Sequence, residues 1–151
     1  MVFRRRAKCH DHELATCGVS LMPPTPAHIN LVLAWCLIVV GFGGGFIFGL
    51  FFHRDDWMGG YTSFRRRLYR LAHLASLALA MINILFYLTV QGLPYPNRAI
   101  DIASWGFVVG AVSMPVACLI MAHQVKARAI FLVPVISLIG AAVVTLLEVV
   151  K

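Results

Sequence analysis

Four histidines, His28, His53, His73 and His123, stand in or beside long hydrocarbon segments of this chain, the last three near one membrane face, and imidazole is the group there with the most chemistry to offer. His73 lies within RRLYRLAHLASLALAMINILFY, residues 66–87, together with Asn83, and His123 closes a later apolar run at LIMAHQVKAR. Facing histidines on two helices of a bundle can hold the iron of a b-type haem, and nearby arginines can pair with its propionates. His73 and His123 are therefore the candidate axial ligands, with Arg66, Arg67 and Arg70 close by. The competing reading is packing, with both histidines wetted near one membrane face. His28 has no mate at its own depth, so a second haem pair is not formed. For Asn83 packing is enough: one hydrogen bond to a carbonyl or polar group of a neighbouring helix contributes about 1 kcal/mol.

Other constellations are weaker. Met114, Cys118 and Met121 recur at i, i+4 and i+7, and soft sulfur in a row suits Cu(I); methionine is equally a gap-filler between helices, and packing is the reading preferred. Cys9, His10, His12 and Cys17 lie in CHDHELATC, which does not match the usual zinc spacings. No resident metal is expected. A proton path needs titratable groups across the whole membrane, and the middle offers only Ser76, Asn83, Ser113, Ser137 and Thr145. No GxSxG, HExxH or Walker pattern occurs, and Asp55 and Asp56 read as a solvated turn anchored by Trp57. No catalytic residues are visible, and the expectation is a non-enzyme. The nine residues AHINLVLAW resemble histidine-bearing helices of haem-copper oxidase and cytochrome b proteins, but the likeness is too short to carry ligands over.

The elements that must position these groups follow from composition. Of 151 residues, 60% are hydrophobic and 13% charged, with a mean hydropathy of +0.84; a soluble domain carries about a quarter charged residues. Such a chain cannot cover a water-facing surface. Apolar runs at 29–52, 68–90, 102–122 and 129–149 each meet the roughly 20 residues needed to cross a bilayer core. None alternates with the period of a barrel wall. The fold class expected is all-α: an integral membrane four-helix bundle with up-down topology over residues 28–151. The net charge of +7 sits beside apolar runs, so the lipid bilayer rather than nucleic acid is the partner expected.

Arginines set the orientation. Arg54, Arg65, Arg66, Arg67 and Arg70 cluster around the first loop, and Lys126 and Arg128 lie in the third. By the positive-inside rule, loops one and three are cytoplasmic and the C-terminus is outside, in a cell (inner) membrane. Residues 1–27 form a polar, basic segment with Arg4, Arg5, Arg6 and Lys8 that runs against this orientation. It reads as a disordered tail or as a mis-assigned start, with translation from Met22 as the alternative.

Close helix packing in lipid relies on small residues. Gly41, Gly45 and Gly49 form a GxxxGxxxG zipper on the first helix; Gly106 and Gly110 repeat it on the third, and the fourth offers Ser137 and Ala141. On the second helix Arg66, Tyr69, His73, Ser76, Ala80, Asn83 and Tyr87 are spaced alternately by three and four, a single stripe that must face the interior or a partner. The functional expectation is a small membrane protein acting by helix association. It would be a subunit or accessory of a larger complex, with a membrane-protein partner or a second copy. The alternative is a b-type haem electron carrier.

Overall fold

The computed structural model describes residues 26–51, 53–93, 97–124 and 128–151, so the N-terminal calls on Cys9, His10, His12, Cys17 and Met22 lie outside the described residues. Four helices follow one another: α1 Pro26–Phe51, α2 Phe64–Gln91, α3 Arg98–His123 and α4 Leu132–Val150, with short 3-10 turns at Trp57–Gly59 and Arg128–Phe131. Each is long and apolar enough to cross a membrane. The chain is a multi-pass helical membrane protein.

Helices α2 and α3 begin about a turn earlier than the apolar runs, because capping rather than hydropathy sets a helix start. Ser63 precedes α2 in extended conformation, and its Oγ accepts from the Arg66 amide at 3.2 Å. Asn97 caps α3 through Oδ1, which accepts from the Ala99 amide at 3.5 Å. The charged first turns therefore belong to the helices. Before Ser63 the loop turns through three successive positive φ angles, at Met58 (59°), Gly59 (85°) and Gly60 (90°). Glycine accepts two of these without strain, and the Ser63 hydroxyl donates to the Met58 carbonyl at 2.8 Å, which holds the third.

Consecutive helices run antiparallel. Helices α1, α2 and α3 pack against one another, while α4 packs chiefly on α3, with Leu138 reaching the core cluster between α1 and α2. The bundle is thus a three-helix core with a fourth helix on its flank. Much of the core is small: Ala34, Leu37, Leu79, Ala80 and Ala111 form one cluster, and Ala27, Phe86, Ile100, Ala103, Phe107 and Ala141 the other. Alanine at these levels lets backbones approach closely, where dispersion and interhelical hydrogen bonds act. The outside is hydrocarbon, with Val39, Phe42 and Ile136 all at least two-thirds exposed, the surface of a body solvated by lipid.

The glycines act in pairs. A Cβ on Gly41 would stand 2.5 Å from Leu77 Cδ2, and one on Gly45 would stand 2.7 Å from His73 Cε1. Among the α1 glycines, these two mark where α1 and α2 approach most closely. Gly49, expected on the same ridge, meets nothing within 4 Å. At that level the Phe48 ring lies 5.9 Å from Tyr69 and 6.2 Å from His73, so an aromatic spacer, and not a bare backbone, faces α2. On α3 a Cβ at Gly106 would come within 2.9 Å of Ala141 Cβ, and one at Gly110 would overlap Leu138. Ser137 Oγ adds a bond to the Gly106 carbonyl at 2.7 Å, so α4 is held to α3 by glycine contact and one hydroxyl. Pro115 is accommodated within a continuous α3, and Cys118 is buried with Met114 packed on the core, as expected of gap-filling side chains.

Candidate functional site

The stripe on α2 does face inward: Arg66, Ser76, Ala80 and Asn83 are buried, and Tyr69, His73 and Tyr87 are partly buried. Its polar members divide into two groups, one towards each end of the bundle.

Towards the end that carries loop two, Asn83 meets two residues that the sequence did not single out. Asn30 of α1 donates from Nδ2 to Asn83 Oδ1 at 2.9 Å and to the Ser104 carbonyl of α3 at 3.3 Å. The Ser104 hydroxyl donates back to Asn30 Oδ1. Asn83 Nδ2 donates to its own helix at Leu79 O, 2.8 Å away. Both protons and the carbonyl oxygen of the Asn30 amide are therefore used, and all three side chains are at most 2% exposed. A buried network in which each member is satisfied fixes register and rigidity. Asn30 was missed because it lies one residue into a hydrocarbon run with no periodic companion on α1. Polarity inside such a run was its only signal. Ser76 is self-contained, its hydroxyl donating to Ala72 O at 2.9 Å.

Towards the other end lie both candidate haem ligands. His73 Nδ1 is 2.7 Å from the Gly41 carbonyl. A carbonyl only accepts, so Nδ1 carries the proton and Nε2 the lone pair. That lone-pair nitrogen rests against α1, 3.1 Å from where a Gly45 Cβ would stand. His123 is held on both sides. Arg65 Nη2 donates to its Nδ1 at 3.0 Å, which leaves Nε2 protonated and donating to the Tyr69 hydroxyl at 2.9 Å. Arg65 Nε also reaches the Ala122 carbonyl at 3.4 Å, so α2 caps the last turn of α3. A cation is favourable at that helix end.

This arrangement does not fit a haem. Neither nitrogen of His123 offers a lone pair to iron, and His73 Nε2 has the α1 backbone where a macrocycle would have to stand. Of the arginines meant for propionates, Arg66 and Arg70 lie on the Tyr61 ring at 5.1 and 5.0 Å, while Arg67 is exposed. His28 lies at the opposite end, its ring 6.3 Å from that of Tyr87. Among the described residues no group of three His, Cys, Asp or Glu is placed to share a metal ion.

One concavity in the membrane-spanning part is apolar. A groove of about 380 Å³ runs between α2 and α4 over α3, lined by Ile82, Leu85, Phe86, Thr89, Phe107, Ala142, Thr145, Leu146 and Val149. Its floor is the pair Phe86 and Phe107, with ring centroids 4.9 Å apart. Thr89 and Thr145 turn their hydroxyls back to Leu85 O and Ala141 O, each at 2.8 Å, so the polar atoms in the wall are satisfied within their own helices.

Fold and site together define the class: a multi-pass α-helical membrane protein in which Asn30, Asn83 and Ser104 bond α1, α2 and α3 together. No protein-family model, curated protein or solved structure matches the chain.

Proposed function

We propose that this protein acts by helix association in the membrane, as a subunit or accessory of a larger complex or as a homo-oligomer, and without catalysis of its own. The observation that carries the reading is the flank position of α4. A four-helix bundle that closed on itself would bring α4 against α1 or α2; here it rests on α3 and leaves the groove over Phe86 and Phe107 open along α2. In lipid such an opening is filled either by acyl chains or by another helix, and close approach of a helix in lipid relies on small residues. The hydrogen bonds at His73 and His123 support a packing role for both histidines over the haem alternative.

The orientation belongs to the same proposal: loops one and three face the cytoplasm and the C-terminus lies outside, in a cell (inner) membrane. The arginines around loop one support it through the positive-inside rule. With the native cysteines replaced, a cysteine at Thr62 should resist impermeant thiol reagents in intact cells and one at Gln91 should label. The opposite pattern would reverse the orientation.

The association is tested by photo-crosslinking from Leu85 and Leu146 in the groove, with Phe42 on the outer face of α1 as comparison. A discrete protein adduct from the groove positions is the expected result, heavier than the 16.7 kDa chain. Lipid adducts alone at all three positions, with a monomer mass in mild detergent, would overturn it.

A further inference from the structure

The arginine end of α2 has a feature that helix association does not use. Arg70 lies with its guanidinium carbon 5.0 Å from the centre of the Tyr61 ring, and Arg66 lies 5.1 Å from the same centre. Two like charges are thus gathered on one half-exposed ring. Arg67 projects beside them, exposed. Among the described residues the only ion pair is that of Lys151 with Glu148, at the other end of the bundle, so no described carboxylate neutralises Arg67 or Arg70. The nearest acids in sequence, Asp55 and Asp56, are exposed in the loop and pair with neither.

What lies beneath these arginines distinguishes one kind of anion from another. Residues three and four apart share a helix face. Below Arg67 and Arg70 on that face come Leu71 and Leu74, 42% and 59% exposed. The α2 surface therefore reads, from its end inward, as cations, one of them stacked on Tyr61, and then bare hydrocarbon. A molecule complementary to it carries a negative head and an apolar tail.

We propose that Arg67 and Arg70, with Tyr61 as the plate that positions Arg70, bind the headgroup phosphate of an acidic phospholipid whose acyl chain lies along Leu71 and Leu74. A guanidinium suits this task because its fork of donors matches phosphate oxygens and it is weakly hydrated. Stacking on Tyr61 restrains Arg70 before the lipid arrives, which lowers the ordering cost of binding. Acidic lipids attract basic residues at the cytoplasmic surface, the side on which the proposed orientation puts loop one; the site itself rests on the α2 geometry and not on that orientation.

The test uses the purified full chain in mild detergent, offered phosphatidylglycerol and phosphatidylcholine of matched chains in equal amounts, with bound lipid counted by native mass spectrometry. The wild type should retain phosphatidylglycerol in preference. Arg67→Gln and Arg70→Gln should each lower that preference about five-fold, the worth of one basic residue near an anionic surface. Arg98→Gln removes the same charge at the opposite end and should leave it unchanged. Glycerol phosphate, which has the head without the tail, should not compete. Should Arg70→Gln fail to fold, the exposed Arg67→Gln carries the comparison. No preference in the wild type, an equal loss in Arg98→Gln, or displacement by glycerol phosphate would each overturn the proposal.

Discussion

Replacing Asn30 should do more damage than replacing any other single polar residue in the membrane part of the chain. Asn30→Leu removes two bonds donated by Nδ2, at 2.9 and 3.3 Å, and the one accepted by Oδ1 from Ser104. Interhelical hydrogen bonds in membrane proteins average about 0.6 kcal/mol and reach about 1.7, so three of them give a loss of about 2–5 kcal/mol. The Asn83 carbonyl oxygen, wholly buried, is also left facing hydrocarbon. Ser104→Ala deletes one bond and should cost about 1 kcal/mol. Asn30→Asp is the sharper variant. Its shape is the same, but it sets an acceptor against two acceptors, Asn83 Oδ1 and Ser104 O, and should be worse than Asn30→Leu. Unfolding in mixed micelles of increasing sodium dodecyl sulfate reads these differences, and a double-mutant cycle of Asn30→Leu with Asn83→Leu should show coupling of about 1 kcal/mol. An Asn30→Leu protein as stable as wild type, or additive single mutants, would show that the three helices are not joined through this amide.

Gly45→Leu drives a side chain into the His73 ring and should cost about 1–3 kcal/mol, whereas Gly49→Leu, with nothing within 4 Å, should be close to silent in the same unfolding assay. Equal effects at the two positions would refute the placement of the α1–α2 contact. His73→Gln keeps a donor for the Gly41 carbonyl and should lose at most about 1–2 kcal/mol, with the helix content measured by circular dichroism unchanged. The dithionite-reduced wild type should show no Soret band; a band lost in both His73→Gln and His123→Gln would instead establish the haem alternative.

Much of this architecture is legible in the chain by itself, for a local reason. Whether a segment of some 20 residues can leave water depends on its own side chains, so the four helices and the membrane character follow from composition. The inward stripe on α2 and the small faces at Gly41, Gly45, Gly106 and Gly110 follow from helical periodicity, which fixes which residues share a side. The helix starts after Ser63 and Asn97 are also decided locally, within one turn, but hydropathy does not register a cap and placed them about a turn late.

Only the tertiary structure decided which groups meet. Asn83 announced that it needed a partner, but nothing in its neighbourhood points to Asn30, 53 residues away, or to Ser104 beyond it. Periodicity put Gly49 in line with Gly45, yet the ring of Phe48 fills the space between the helices at that level. His73 and His123 looked like two open ligands until their nitrogens were seen facing the Gly41 carbonyl, Arg65 and Tyr69. The flank position of α4 was hidden for the same reason. Hydropathy says that a helix lies in lipid, but only side-chain complementarity between particular surfaces says which neighbour it chooses.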